Sequence, residues 1–341
     1  MDILDKICII VPIYNVENYV KKCLTSLVNQ TYKNIEIMAI IDGSPDNSAE
    51  IVKKMAEKDN RIICIEKENG GYGSVLEYGI KNTKCKYFLI CDPDDWLEEN
   101  AIEILYNLIS TKNVDIAIGE IYKIYKDSKS GELSLGTHKS YHIEPNKVYN
   151  DLSNFYFFRP TPHAKLYKTE LAKNIKFPHK VSYTDNVLFD VYLSNSKSAI
   201  YVDTPLAYYF FDRPGNTMGE FDNNVFKQKT FEAVLTVFES IINQLYEESY
   251  SNPYAYYRVY CELISTLSKL KNLDKKNQKE KDIERIISLI NKIYPVKEKM
   301  SQCINDNNIK LRIAKKIIFS FMFCKFSQKA FAKILSNLKR K

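Results

Sequence analysis

Three carboxylates fall within four residues at Asp92-Pro93-Asp94-Asp95, directly after an apolar run. Side by side at neutral pH they repel. A divalent cation relieves that repulsion, and Mg²⁺ is typically held by one or two carboxylates together with phosphate oxygens. A cap for a helix beginning near Leu97 is the competing use of Asp94 or Asp95, but a cap needs one acid, not three. Asp42 closes another apolar run; it can accept hydrogen bonds from a base edge or a ribose, or close an Asx-turn before Gly43. Asn69–Gly73 is a glycine turn whose backbone can come close to a ligand or simply reverse the chain. Asp185 stands just ahead of the helical pattern Val187, Leu188 and Val191, as an N-cap or as a general base. Arg213, in the turn Arg213-Pro214-Gly215-Asn216, suits a phosphate contact or a solvated loop. His163 and Lys165 follow Pro160 and Pro162 and read as surface or core residues. No serine nucleophile elbow, P-loop or metalloprotease helix is present.

These groups need elements that bring them together. Ile7–Ile13, Ile35–Ile41, Arg61–Glu66, Tyr87–Cys91 and Val114–Gly119 read as strands. Helical patterns lie between them: Tyr19, Val20, Cys23, Leu24, Leu27 and Val28; Ile51, Val52 and Met55, with Ser44 as cap and Pro45 in the first turn; the stretch through Lys81; and Asn100–Ser110. Alternation of strand and helix predicts an α/β fold, a mostly parallel sheet with helices on both faces. Ligands bind such sheets at the carboxyl ends of the strands. Tyr14-Asn15, Asp42, the glycine turn and Asp92–Asp95 all sit at such ends, so four segments converge on one rim. Ser198–Tyr209 reads as a strand pair closing this region. From Val225 the pattern is helical: Val225–Tyr246, Tyr254–Leu270, Asp282–Tyr294 and a basic helix from Ile309, with a polar linker at Asn272–Lys281.

The chain has 341 residues, enough for about two domains. With 45% apolar and 27% charged residues it is neither disordered, collagen-like nor a polytopic membrane protein. No leader pattern opens it, and its eight cysteines lack C-x-x-C spacing, so buried reduced thiols are expected rather than disulfides or zinc. The net charge of +7 is uneven: residues 223–341 hold 23 Lys+Arg against 11 Asp+Glu, whereas residues 1–222 are net acidic. The expected division is therefore a catalytic domain at 1–222 and a helical, basic addition at 223–341. After Asp306 come ten basic residues and no acid. With Ile313, Ile317, Ile318, Phe319, Phe321, Met322, Phe323 and Phe326 between them, the segment 309–341 suits an amphipathic contact with an anionic membrane surface, or a core or dimer contact with solvated lysines. No nucleic-acid-binding module is recognisable.

Val11-Pro12-Ile13-Tyr14-Asn15, Ile41-Asp42-Gly43-Ser44-Pro45-Asp46-Asn47-Ser48 and Asp92-Pro93-Asp94-Asp95-Trp96 together resemble the family-2 glycosyltransferases of the GT-A fold, in order and in spacing. Asn69–Gly73, Thr184-Asp185 and Arg213-Pro214-Gly215 extend the resemblance over about residues 5–220. The resemblance implies an inverting transfer of a hexose or N-acetylhexosamine from a UDP-sugar donor to a hydroxyl of a saccharide acceptor, lipid-linked or protein-linked, as in bacterial polysaccharide or adhesin-glycan assembly. It implies that Pro12, Tyr14 and Asp42 hold the nucleobase, that Gly71, Asp92 and Asp94 lie along the nucleotide sugar, and that Arg213 meets the diphosphate. It further implies Mn²⁺ or Mg²⁺ as cofactor at Asp94 and Asp95, and Asp185 as the catalytic base. The place implied is cytoplasmic, peripheral at the inner membrane face if the basic tail binds lipid; a homo-oligomer stays open. Departures from the family pattern are Ile41 in place of a first acid, Thr184 ahead of the base, and Glu77 where relatives carry Asn or Arg. A sugar nucleotidyltransferase and a non-catalytic relative are the competing readings; the first lacks its glycine-rich, Arg-containing loop after the first strand.

Overall fold

The seven residues Ile7–Ile13 (β1) are all buried, and they sit where a continuous apolar strand must sit, in the middle of a sheet covered on both faces. The computed structural model describes residues 5–125, 132–134, 143–211, 213, 228–247, 252–270, 276–304, 309–324 and 327–337. The chain divides into two compact units, Met1–Asn216 and Thr217–Lys341.

In the first unit β1 pairs in parallel with β2 (Ile35–Asp42) on one side and β4 (Tyr87–Ile90) on the other; β2 pairs in parallel with β3 (Ile62–Lys67). Helices α1 (Val20–Val28), α2 (Ser48–Ala56), α3 (Tyr72–Asn82) and α4 (Ala101–Thr111) connect these strands and lead on to β6 (Ile116–Ile124). With β5 at Trp96–Leu97, β9 at Lys165–Lys168 and β10 at Ala199–Phe210, the full order is β3-β2-β1-β4-β9-β6-β10-β5, with β7 (Glu132–Ser134) on β6 and β8 (Val148–Tyr149) on β10. The sheet is mixed: β9 (Lys165–Lys168) runs antiparallel to both neighbours, β4 and β6.

Four local expectations change. Ser44 does not cap a helix, because α2 starts at Ser48; the Ser44 hydroxyl instead accepts the Asn15 amide at 2.8 Å and donates to Asp46 Oδ1 at 2.6 Å. No helix begins near Leu97, for Trp96–Leu97 (β5) pairs antiparallel with β10, and α4 waits until Ala101. Ser198–Tyr209 is not a strand pair but part of one strand, β10 (Ala199–Phe210), whose register slips around Pro205, where proline withholds a ladder donor. Part of the expected linker Asn272–Lys281 is already helix from Lys276; residues 271–275 lie outside the described residues.

The second unit is helical: α6 (Gln228–Glu247), α7 (Pro253–Lys269), α8 (Lys276–Lys292), α9 (Lys297–Gln302), α10 (Ile309–Met322) and α11 (Gln328–Leu335). The expected start at Val225 lies outside the described residues. Its core includes Phe231, Ile241, Leu263, Leu267, Ile286, Ile290 and Met300. All eight cysteines are free thiols. Among the described residues no helix is long and apolar enough to cross a membrane.

Candidate functional site

Register brings the rim together. Ile13 stands beside Ile41, so Tyr14 and Asp42 leave neighbouring strands side by side; Ile10 stands beside Ile90, so the acid cluster emerges next to them. Pro12 is buried and Tyr14 is exposed. The loops after β1 and β2 are tied by Asp46, whose Oδ2 accepts the Glu17 amide at 2.8 Å and whose Oδ1 accepts the Ser48 amide at 3.1 Å. Against its partial burial, the Ser44 and Ser48 hydroxyls, then these amides, hold the Asp46 carboxyl down to about 2.

Asp42 is buried and serves the glycine turn. Its Oδ1 accepts Gly70 N–H at 2.9 Å and Lys67 Nζ at 2.5 Å, and its Oδ2 accepts Gly71 N–H at 2.7 Å. Gly71 has φ +82°, and a Cβ there would stand 2.8 Å from the Lys180 backbone. A Cβ on Gly73 would stand 2.6 Å from the Pro178 carbonyl oxygen. The glycines therefore admit another piece of protein backbone, the loop over residues 178–184, which Lys180 N–H fastens to Gly70 O at 2.7 Å. Glu77 clasps the same loop through His179 Nε2 at 2.9 Å.

That loop leads to Asp185, the first residue of α5 (Asp185–Asn195). Asp185 follows the cap position rather than filling it, and Thr184 ahead of it is fully buried. Burial pushes the Asp185 carboxyl above the usual range, while Asn186, His163 and Lys165 pull it back. A carboxyl so placed is a stronger proton acceptor than the unperturbed acid the sequence suggests.

The acid cluster holds a residue that sequence reasoning missed. His163 Nε2 lies 2.5 Å from Asp95 Oδ2 and 3.9 Å from Asp92 Oδ2, and His163 and Asp95 are both buried. Its other nitrogen, Nδ1, has no hydrogen-bond partner among the described residues. Asp95 Oδ1 accepts the Phe210 amide at 2.7 Å, so β10 pins it. Tyr72 Oη donates to Asp92 Oδ1 at 2.7 Å. Burial, then the neighbouring Asp94 and Asp95, push Asp92 up to about 7 although His163 opposes this. Burial pulls His163 down, but Asp95 and Asp92 outweigh it and hold the imidazole above its ordinary value. Donor atoms of Asp92, Asp95 and His163 lie within 4.8 Å of one another and form a candidate metal-holding group. The buried, mutually repelling acids with a histidine nitrogen among them fit a divalent metal. Asp94 instead bonds the Arg213 guanidinium, which also lies 5.6 Å over the Tyr19 ring. Pro214, Gly215 and Asn216 of the expected turn lie outside the described residues. The missed histidine had little signal: a lone His among prolines in an aperiodic stretch.

The profile for Glycosyl transferase family 2 matches residues 8–176, the span that carries the rim up to the loop before Asp185. Glycosyltransferase GlyA of Streptococcus pneumoniae serotype 4 is 37% identical over 215 residues, 60% of this chain but only 30% of that protein. Glycosyltransferase GlyG of the same organism is 31% identical over 245 residues, 67% of this chain and 81% of that protein. The crystal structure of S. aureus TarS 1-349 in complex with UDP-GlcNAc matches with a TM-score of 0.69 over 97% of this chain and 90% of that one; at 18% identity the likeness shows the fold. A GT-A sheet, with the sequence likeness running through its strand ends, places the chain in glycosyl transferase family 2.

Proposed function

We propose that the chain is an inverting, metal-assisted transferase that moves a hexose or N-acetylhexosamine from a UDP-sugar to a hydroxyl of a saccharide acceptor. The acceptor classes it suits are a lipid-linked polysaccharide repeat and an adhesin glycan. The chemistry belongs to residues 1–222, with residues 223–341 as a helical addition. The observation that carries the reading is the assembly of Asp92, Asp95 and His163 at the same rim as a half-buried Asp185 whose carboxyl is pushed up. The UDP-GlcNAc bound by TarS supports the donor class.

Asp95, with Asp92, Asp94 and His163 around it, would hold Mn²⁺ or Mg²⁺, which supplies positive charge to the donor diphosphate. Pro12, Tyr14 and Asp42 border the nucleobase, and Gly71 and Asp92 lie along the nucleotide. Arg213 exchanges Asp94 for a phosphate oxygen, a charge-assisted bond in either state. Asp185 accepts the proton of the acceptor hydroxyl. The hydroxyl oxygen bonds the anomeric carbon from the face opposite UDP, the bond from that carbon to the diphosphate oxygen breaks, and UDP leaves with the electron pair. One displacement inverts the stereochemistry without a covalent intermediate.

A panel of UDP-sugars tests this by UDP release. Asp185→Asn is expected to lower turnover at least about 100-fold with UDP affinity kept, and excess chelator to abolish turnover. Turnover in that variant matching the unaltered protein, or full activity in chelator, overturns the respective assignment.

A further inference from the structure

The helix α10 (Ile309–Met322) presents two different apolar faces. Phe319, Met322 and the following Phe323 are buried; Tyr260 of α7 meets Phe319 at 5.1 Å and Phe323 at 5.6 Å between ring centroids. They account for the core role that aromatic residues of this segment were expected to fill. On the opposite side Ile309 is 62% exposed, Ile313 52%, Ile317 48% and Phe321 43%. Spacing of four residues keeps this second set on one slowly drifting stripe. Phe321 stacks on Phe331 of α11 at 4.9 Å, and Ile334 of α11 is 55% exposed. A helix that needs only one face for its own core has no internal use for the other.

The charge around the stripe is of one sign. Lys310 and Lys316 flank it, Arg312 lies beside Lys316, and no acid follows Asp306 in the sequence. Among the described residues these three cations have no acidic partner, whereas Lys329 and Lys333 of α11 are tied to Glu284 at 2.6 Å and Glu280 at 2.8 Å on α8. Apolar side chains bordered by free lysines match an anionic lipid surface: the apolar stripe enters the acyl boundary, and the lysines reach out to headgroup phosphates. A second copy fits worse. A two-fold interface would set this basic stripe against itself.

We propose that α10 is a peripheral membrane-docking helix, which seats the Ile309, Ile313, Ile317 and Phe321 stripe in the interface of an anionic bilayer with Lys310, Arg312 and Lys316 at its headgroups. This goes beyond the transfer chemistry and does not depend on it.

The test is co-sedimentation of the full chain with vesicles of phosphatidylcholine alone and of phosphatidylcholine mixed with phosphatidylglycerol. Binding is expected to the mixed vesicles and to be released by salt. The double variant I313D/I317D is expected to bind at least about tenfold more weakly, because burying either isoleucine is lost. K310A/K316A should weaken binding by about fivefold per lysine. Both pairs are exposed residues of the second unit and none is assigned a role in transfer, so UDP-sugar turnover and melting temperature serve as fold controls. No binding by the unaltered protein, equal binding to both vesicle types, or binding that I313D/I317D leaves unchanged overturns the proposal. Sedimentation velocity gives the alternative outcome: a dimer that I313D/I317D dissolves, without vesicle binding, would assign the stripe to a second copy and likewise overturn it.

Discussion

Asp92 carries an energetic cost that can be measured. Its carboxyl, ordinarily at 3.8, is pushed up to about 7 by burial and by Asp94 and Asp95. A carboxyl raised on folding contributes stability that is fully present below its unfolded value near 4 and lost as the pH rises through the folded value. In chelator, the protein should therefore lose melting temperature from about pH 5 to about pH 8 in excess of Asp92→Asn, with the gap widening to about 2–4 °C. Asparagine keeps an acceptor for Tyr72 Oη and removes the charge. Differential scanning fluorimetry of the two proteins reads the gap; parallel curves would mean that Asp92 is not strained by its neighbours. At this scale the sequence was legible wherever acids cluster after an apolar run, as at Asp92–Asp95. It was silent on His163, since nothing local tells a buried histidine facing two acids from one at the surface.

Between elements, the glycine turn does more than its composition suggests. Gly71 and Gly73 give room to residues 178–184, the segment that delivers Asp185 to the rim. Gly71→Ala meets both a left-handed φ and the Lys180 backbone at 2.8 Å, and Gly73→Ala meets a carbonyl oxygen at 2.6 Å. Neither neighbour is the flexible end of a side chain, so each substitution should cost about 1–3 kcal/mol. With Asp185 as the proposed base, each should also lower turnover more than UDP affinity, because the backbone that must shift belongs to the loop leading to Asp185. Steady-state kinetics beside a UDP titration separates the two; equal losses in both would return the glycines to a purely nucleotide-side role. Strand and helix positions were readable from apolar runs and helical spacing because β1, β2 and β4 are buried on both faces, while β3, at the sheet edge, keeps only a short apolar start. Ser44 and Leu97 misled because side-chain preference for a cap yields to other partners: the distant Asn15 amide and the neighbouring Asp46 carboxylate for the serine, and β10 for the short strand at Trp96–Leu97.

Across the whole molecule, the eight cysteines behave as small apolar residues. Cys8, Cys23, Cys85, Cys91 and Cys303 are buried, Cys64 and Cys261 are half-buried, and Cys324 is exposed. A thiol reagent on the native protein should label Cys324 first and all eight only in denaturant, and a reductant should leave the melting temperature unchanged. A drop in melting temperature on reduction would reveal a disulfide in the isolated protein. The helical unit was legible as helical from its periodicity, but which face of α10 enters the core was not: both faces carry isoleucine or phenylalanine, and only the partners on α7 choose between them.

The bonds around Asp42 have a consequence for binding. Asp42 fixes Gly70 and Gly71; Gly70 O holds Lys180, on the loop that ends at Asp185; and Tyr72, next in the chain, reaches Asp92. One carboxylate thus links the glycine turn to both the loop leading to Asp185 and the acid cluster. Energetic coupling between two sites is reciprocal. On the proposed roles, whatever settles the turn on the nucleotide side also settles Asp185 on the acceptor side, and the reverse. On the proposed reading, mutual strengthening of donor and acceptor binding is the form such a linkage takes.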